Sequence, residues 1–154
     1  QRPVNRTSAS AGQDALNTAV EVLNDGDLFG IYPEGTRSPD GRLYKGKTGV
    51  ARIALASGAQ VIPVAMIGTR DVNPIGTWFP RPGKVRVKVG DPIYPIEFVN
   101  NRGVERDSYE AIRELTDHIM RQLQQLSGQE YADVYAAEVK KALAEGGDSS
   151  PHNP

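Results

Sequence analysis

The chain has 154 residues, a formal net charge of −1 and no cysteine. This length fits one domain with a modest core, and the lack of cysteine excludes disulfides and thiolate metal sites. With only two histidines, His118 and His152, no metal site is expected. No apolar run approaches the roughly 20 residues of a membrane-spanning helix. The first residue is Gln1 rather than Met, and we expect further residues to precede it.

The charge is spread unevenly along the chain. Residues 34–68 and residues 69–96 each carry five basic and two acidic side chains, whereas residues 97–154 carry six basic and eleven acidic ones. A basic centre suits anionic ligands, phosphates above all, or an anionic lipid surface. Charge alone favours the alternative, an ordinary solvated surface.

Two helices are predicted in the first 60 residues. An amphipathic helix over residues 13–24 follows from three apolar residues spaced one helical turn apart, Leu16, Val20 and Leu23. Residues 49–57 are predicted to form a short apolar helix that is closed by Gly58.

Three segments are predicted to be strands. The apolar runs at residues 28–32 and 61–67 are short and bounded by loop-forming residues, so each predicts a buried strand. Residues 84–89 alternate basic side chains with valine, which predicts a strand with one face in water. The polar residues 33–42 and the Pro/Gly-rich residues 69–83 are predicted to be loops.

The last third of the sequence is predicted to be helical. A helix is indicated by apolar residues at three- and four-residue steps, namely Tyr109, Ile112, Leu115, Ile119, Met120, Leu123 and Leu126. His118 lies within this helix and is expected to be a surface or boundary residue. Residues 130–144 predict a weaker helix, and residues 146–154 a disordered tail.

Alternation of strands and helices over residues 13–89 predicts an α/β fold with a largely parallel sheet flanked by helices, followed by a C-terminal helical segment. The expected organisation is a main domain over residues 1–128, a C-terminal helix over 129–145 and a tail over 146–154.

The most informative stretch is residues 31–38, Ile-Tyr-Pro-Glu-Gly-Thr-Arg-Ser. Here an apolar strand is expected to be followed by a polar loop, and ligands of open α/β sheets bind at the carboxyl ends of strands. Arg37 carries a planar fork suited to phosphate or carboxylate. Gly35 permits a close approach to a ligand, and Glu34 is expected to orient Arg37. The residues therefore predict an anion-binding loop, with an ordinary surface turn as the alternative.

Residues 33–38 also resemble the signature of the glycerolphosphate and 1-acylglycerol-3-phosphate acyltransferases, a Pro-Glu-Gly-Thr-Arg-Ser block after an apolar strand. Three neighbouring segments match the family in order and spacing: Arg-Pro-Val-Asn-Arg at 2–6, Leu-Tyr-Lys-Gly-Lys-Thr-Gly at 43–49, and Val-Ile-Pro-Val at 61–64. Four blocks over residues 2–68 make the resemblance specific. From about residue 97 onward it carries no information about a site.

The resemblance implies transfer of an acyl chain from a thioester to a glycerolipid hydroxyl. The acceptor would be lysophosphatidate (1-acylglycerol-3-phosphate) first and glycerol-3-phosphate second, with acyl-CoA or acyl carrier protein as co-substrate and no cofactor. In the family a histidine acts as general base and an aspartate five positions later orients it. Neither His118, which is followed five residues on by Leu123, nor His152 fits that pattern. The chain is therefore expected to lack the catalytic pair and to be inactive by itself.

The site residues implied by the resemblance are all on the substrate side. Arg37 and Arg6 would hold the phosphate, Glu34, Gly35 and Thr36 would shape the loop, and Lys45 or Lys47 would assist. Pro63 would form a wall near the acyl carrier, or else be a plain proline at a strand edge. The predicted set is thus Arg6, Glu34, Gly35, Thr36, Arg37, Lys45, Lys47 and Pro63.

A rival motif overlaps this region. Residues 41–48 satisfy the Walker A pattern, GxxxxGKT, of nucleotide-binding loops. That pattern requires a strand leading directly into its first glycine, whereas residues 33–40 are predicted to be loop. The run at residues 61–67 also ends at Gly68 and not at the aspartate of a Walker B strand. We therefore rank nucleotide binding below phospholipid chemistry.

A non-catalytic homologue that only binds phospholipid is the second alternative. In either case the expected partners are a glycerophospholipid and the cytoplasmic face of a membrane, which the protein would contact peripherally. No nucleic acid is expected among its partners.

Overall fold

The structure, a computed structural model, describes residues 11–74 and 78–146. Within these ranges the helices are α1 (Ala11–Asn24), α2 (Gly49–Ser57), α3 (Thr69–Val72), α4 (Pro95–Asn100), α5 (Tyr109–Ser127) and α6 (Ala136–Gly146). The strands are β1 (Leu43–Tyr44), β2 (Val64–Ile67), β3 (Arg86–Val89) and β4 (Tyr131–Ala132).

The helix ends follow from local chemistry. The Ser108 hydroxyl caps α5 by accepting the Ala111 N–H at 3.1 Å. Helices α2 and α5 both stop at a glycine with positive φ, Gly58 at 72° and Gly128 at 73°, a conformation that other residues rarely adopt. The predicted helices at residues 13–24, 49–57 and 109–126 are therefore confirmed.

The core lies between α2, α4 and α5. Leu115 and Ile119 of α5 pack with Ala51 and Leu55 of α2 and with Val99 of α4. Burying a side chain of the size of Leu115 contributes about 1.5–3 kcal/mol, so the apolar face of α5 stabilises the fold substantially. Tyr109, which was predicted to lie on this buried face, is 70% exposed because it stands in the first, open turn of the helix.

The strands form two small sheets. β1 and β4 pair in parallel, Leu43 opposite Tyr131, whereas β2 and β3 pair antiparallel, Val64 opposite Val89. The predicted α/β class and the parallel pairing are confirmed. The pairing is not parallel throughout, because the connection from β2 brings β3 back beside it in the opposite direction.

The prediction of a buried strand at residues 28–32 is wrong. This segment has no regular structure, and Leu28 is 97% and Tyr32 73% exposed. A strand requires a neighbour that accepts and donates its backbone hydrogen bonds. Within the described ranges no segment pairs with residues 28–32.

The other two predicted strands are shorter and more exposed than expected. Only residues 64–67 of the run at 61–67 are strand, with Val64 and Met66 on an exposed face and Ala65 buried. The strand at residues 84–89 begins at Arg86, and all four of its residues are exposed. Both faces of β3 are therefore in water, where one was predicted.

Helix α4, the single turn α3 and the paired strands β1 and β4 were not predicted. The helix expected over residues 130–144 begins at Ala136, because Tyr131 and Ala132 are drawn into pairing with β1. Tertiary pairing here overrides the helical pattern. The predicted tail from residue 147 onward lies outside the described residues.

Candidate functional site

The loop at residues 33–38, which we call the signature loop, is folded tightly onto the segment that follows β1. Gly35 has φ +71° and donates its N–H to the Tyr32 carbonyl at 3.0 Å, and the Lys47 N–H donates to the Pro33 carbonyl at 2.8 Å. A Cβ at position 35 would lie 3.1–3.3 Å from the end of the Lys47 side chain. The turn therefore favours glycine for its conformation and for the space that Lys47 occupies.

Glu34 anchors the loop from beneath. Its carboxylate is half-buried and accepts the Tyr44 backbone N–H at 2.9 Å. Burial raises the pKa of Glu34, and this rise is opposed by the Tyr44 hydrogen bond and by the charge of Lys140. Within the described residues Glu34 thus holds the loop against β1, and its expected role in orienting Arg37 stays a prediction.

Arg37 reaches outward from the loop. Its side chain is exposed, and Nη2 donates to the Asn73 carbonyl at 2.8 Å, just after α3. A guanidinium has five N–H donors, so most of the fork stays available for an anion. In the described part of the chain, no acceptor is found for the backbone N–H of Thr36 or Arg37 either. The outer surface of the loop thus presents several uncommitted donors.

Lys140 is a residue of this site that the sequence did not reveal. It comes from α6, and its Nζ donates to the Thr36 Oγ1 at 2.7 Å across 104 positions of sequence. Because the Thr36 oxygen accepts this bond, its hydroxyl hydrogen is free to point away from Lys140, toward a ligand. No local motif marks Lys140, since its only sequence feature is the neighbouring Lys141.

The two predicted lysines, Lys45 and Lys47, differ in whether their ammonium groups already have a partner. The Lys45 ammonium is 3.0 Å from Asp133, and hydrogen bonding to this carboxylate raises the pKa of Lys45. Among the described residues, no acceptor is found for the Lys47 ammonium, which lies against Gly35. Lys47 is therefore available to an anion at the signature loop, and Lys45 already has a partner.

One of the predicted residues that the structure describes, Pro63, is not brought to the loop. Pro63 is buried ahead of β2, where its carbonyl accepts the Gly90 N–H at 2.9 Å. Its recorded bonds thus join it to the end of β3. Arg6 lies outside the described residues.

A charged network holds the residues between the signature loop and β1. The buried Tyr44 hydroxyl donates to Asp40 at 2.8 Å, and the Arg42 Nε donates to the same carboxylate at 2.7 Å. The Arg42 backbone N–H donates to it as well, at 3.0 Å. This backbone hydrogen bond, with the Tyr44 and Arg42 side chains, holds the pKa of Asp40 well below its usual range. Asp40 therefore stays ionised and holds the chain as it enters β1.

The Walker-like residues 41–48 do not form a phosphate cradle. A cradle requires free backbone N–H groups, but those of residues 43, 44, 45 and 47 donate within the protein: to Glu130 O, Glu34 Oε2, Ala132 O and Pro33 O, respectively. Leu43 and Tyr44 are also buried as strand β1. This geometry leaves no loop that could wrap a nucleotide phosphate.

Mg-ATP is accordingly expected not to bind in the micromolar range. Titration calorimetry should show no saturable heat, and Lys47→Ala should behave as the unmodified chain does, because Lys47 acts outside any nucleotide loop. Micromolar binding that disappears in Lys47→Ala would contradict this prediction and favour the Walker interpretation.

His118 does not belong to the site. It lies in α5 with its ring 4.8 Å from that of Phe98, centre to centre. Partial burial lowers the pKa of His118, and the nearby charges of Arg121 and Arg102 add to this effect. The expectation of a boundary residue agrees with this position. In the described ranges no cluster of His, Cys, Asp and Glu could hold a metal ion, and no helix there is long and apolar enough to cross a bilayer.

Comparison with known proteins gives the family. The family model described as Acyltransferase matches residues 1–67, which include the signature loop. The match to this family thus covers the first 67 of the 154 residues. The resemblance found in the sequence is thereby confirmed.

Relatives and a solved structure agree with this assignment. The chloroplastic 1-acyl-sn-glycerol-3-phosphate acyltransferase of Brassica napus is 37% identical over 93 residues, which are 60% of this chain and 27% of the relative. The 1-acyl-sn-glycerol-3-phosphate acyltransferase of Bacillus subtilis is 29% identical over 104 residues, 68% of this chain and 48% of the relative.

The crystal structure of the 1-acyl-sn-glycerophosphate acyltransferase PlsC from Thermotoga maritima superposes with a TM-score of 0.58 at 36% identity. The match covers 73% of this chain and 44% of that one. The chain thus spans about a quarter of the length of the plant relatives and under half of the solved structure.

Proposed function

We propose that this chain supplies the phosphate-binding part of an acyltransferase of phospholipid biosynthesis whose acceptor is lysophosphatidate. The observation that carries the proposal is the outer surface of the signature loop, where Arg37, Lys47 and two backbone N–H groups have donors to spare. The relatives described above are 1-acyl-sn-glycerol-3-phosphate acyltransferases, which supports this choice of acceptor.

The chemistry of the loop suits a phosphate monoester. A phosphate offers several anionic oxygens, and charge-assisted N–H···O bonds to them are about twice as strong as neutral ones. The Arg37 fork supplies paired donors, whereas Lys47 and Lys140 supply point charges on either side of Gly35 and Thr36. We include Lys140 in the site because its ammonium keeps further N–H donors after bonding Thr36.

Holding the phosphate places the acceptor hydroxyl for reaction. In the proposed transfer the hydroxyl oxygen attacks the thioester carbonyl carbon of acyl-CoA or acyl carrier protein. The carbon–sulfur bond then breaks, and the hydroxyl proton passes by way of a base to the departing thiol. This chain contributes the grip on the phosphate, which restricts the acceptor and thereby raises its effective concentration at the thioester. The base is the histidine of the family's His-x-x-x-x-Asp pair.

The proposal is tested by acyl transfer in a complete enzyme that contains residues 1–154. Lysophosphatidate with acyl-CoA, or with acyl carrier protein, should give phosphatidate, and the analogue that lacks the phosphate, monoacylglycerol, should be a poor acceptor. Saturable binding of lysophosphatidate without any product would favour a phospholipid-binding homologue. Equal turnover of both acceptors would contradict the role of the loop.

Lys140→Ala is expected to raise the KM for lysophosphatidate about tenfold, because a charge-assisted hydrogen bond contributes roughly 1.5 kcal/mol. Lys140→Arg should reverse part of this rise in the KM for lysophosphatidate. The matched control is Lys141→Ala, since Lys141 is exposed on the same helix and pairs with Glu145 at 3.7 Å.

If the role of Lys140 were purely structural, Lys140→Ala would lower the melting temperature and leave the KM for the acceptor unchanged. The KM for the acyl donor should not move in either lysine variant. An unaltered acceptor KM in Lys140→Ala would remove Lys140 from the site.

We also propose that the protein works at the cytoplasmic face of a membrane without spanning it, because its acceptor is a lipid. The basic residues of the chain's centre support this placement.

A further inference from the structure

Residues 78–89, which we call the aromatic–basic segment, are exposed at every position. Trp78 is 89% and Phe79 76% exposed, an unusual state for two adjacent large aromatic side chains. The segment carries four cations and no acidic residue: Arg81, Lys84, Arg86 and Lys88. It thus combines projecting aromatic rings with a uniformly positive charge.

This combination matches the interface of an anionic bilayer. Tryptophan concentrates at the level of lipid headgroups, where its ring meets the acyl boundary and its N–H stays hydrated. Basic side chains beside it are attracted to anionic headgroups. A protein partner of acidic character would pair with the cations, but it would not explain the exposure of the two adjacent aromatic rings.

The segment is physically tied to the signature loop. The Arg81 N–H donates to the Val72 carbonyl at the end of α3, at 2.6 Å, and the next carbonyl along, that of Asn73, accepts from Arg37 at 2.8 Å. The Arg70 side chain of α3 also lies against Gly41, at the far end of the polar loop. A surface that binds the aromatic–basic segment would therefore lie close to the proposed phosphate site.

We propose that the aromatic–basic segment docks the protein on an anionic lipid bilayer. Trp78 and Phe79 enter the boundary between headgroups and acyl chains, and Arg81 and Lys84 contact the lipid phosphates. Docking in this orientation presents the signature loop to a lysolipid in the same leaflet. This last step rests on the proposed function, whereas the docking itself does not.

The sequence offers a direct probe, because Trp78 is the only tryptophan in the chain. Vesicles of phosphatidylcholine with phosphatidylglycerol should shift its fluorescence to the blue, and brominated lipids should quench it. Phosphatidylcholine vesicles should give little of either effect, and added salt should weaken the response because it screens the cations.

Variants separate the two parts of the surface. In cosedimentation, Trp78→Ala with Phe79→Ala should reduce the partition into anionic vesicles tenfold or more. Arg81→Gln with Lys84→Gln should lose the salt-dependent part of binding. Tyr109→Ala is the matched control, since Tyr109 is 70% exposed in α5 and outside the segment. Circular dichroism before and after each substitution checks that the fold is unchanged.

Absence of bromolipid quenching would overturn the inference, as would an equal loss of binding in Tyr109→Ala. Vesicle docking is measured without acyl donor or acceptor, so it can fail separately from the proposed function. Docking without acyl transfer in a complete enzyme would contradict the function alone, and acyl transfer without docking would contradict this inference alone.

Discussion

Replacing Arg37 with alanine, in a complete enzyme that contains this chain, should lower kcat/KM for lysophosphatidate roughly ten- to hundred-fold. The expected loss is about 1.5–3 kcal/mol, because the substitution removes charge-assisted bonds between a planar fork and the substrate phosphate. Arg37→Lys should not restore full efficiency, since an ammonium cannot reproduce the paired donors of a guanidinium. Steady-state kinetics with lysophosphatidate measures both effects.

The control for Arg37 has to account for its bond to the Asn73 carbonyl. If the substitution merely loosened the loop, turnover of monoacylglycerol would fall along with that of lysophosphatidate. A phosphate contact instead predicts a loss confined to the phosphorylated acceptor. Arg121→Ala, an exposed substitution on α5, should change neither value. Wild-type efficiency in Arg37→Ala would exclude the assignment.

Residues 1–154 alone are expected to transfer no measurable acyl group. The acceptor hydroxyl has a pKa far above neutrality, and a positioned general base typically contributes about 10²- to 10⁴-fold to such a reaction. His118 packs beside Phe98 in α5, and its lowered pKa keeps it uncharged at neutral pH, but it has no recorded contact with the signature loop. Within the described residues, the proposed phosphate site therefore has no histidine in contact with it.

The assay uses radiolabelled lysophosphatidate and acyl-CoA, with the Thermotoga maritima acyltransferase as positive control. Turnover by the chain itself would show that the catalytic machinery has been misplaced, and His118→Gln would then be the first variant to measure. We also expect the chain to be poorly stable, because Val64, Met66, Val87 and Val89 leave an apolar sheet face in water.

The longer helices were more predictable than the strands, for a physical reason. Leu16 and Val20 in α1, or Leu115 and Ile119 in α5, repeat with the period of a helix whose hydrogen bonds are all internal to it. Residues 28–32 have the composition of a strand, but a strand depends on a neighbour that composition does not specify. Conversely, Tyr131–Ala132 gives no strand signal and is paired only because β1 lies beside it.

The site divides in the same way. The signature loop could be predicted from consecutive residues, since Gly35 indicates a turn and the guanidinium of Arg37, two positions later, indicates anion binding. The residues that contact the loop could not be predicted from the sequence, because these contacts depend on tertiary packing. Lys45 has the same charge as Lys47 and lies two positions before it, yet Lys45 forms an ion pair with Asp133. Lys140 belongs to helix α6, where no sequence motif indicates that it contacts the loop.

The contact between Thr36 and Lys140 has a consequence for the order in which the protein is made. The two residues are 104 positions apart, and a ribosome adds about 5–20 residues per second, so the loop leaves it roughly 5–20 s before its lysine does. Over that interval Leu43 and Lys45 also wait for their acceptors, Glu130 and Ala132. The proposed phosphate site is therefore incomplete on the nascent chain until residue 140 has been added, and a chain that terminates before that residue would carry the signature loop without Lys140.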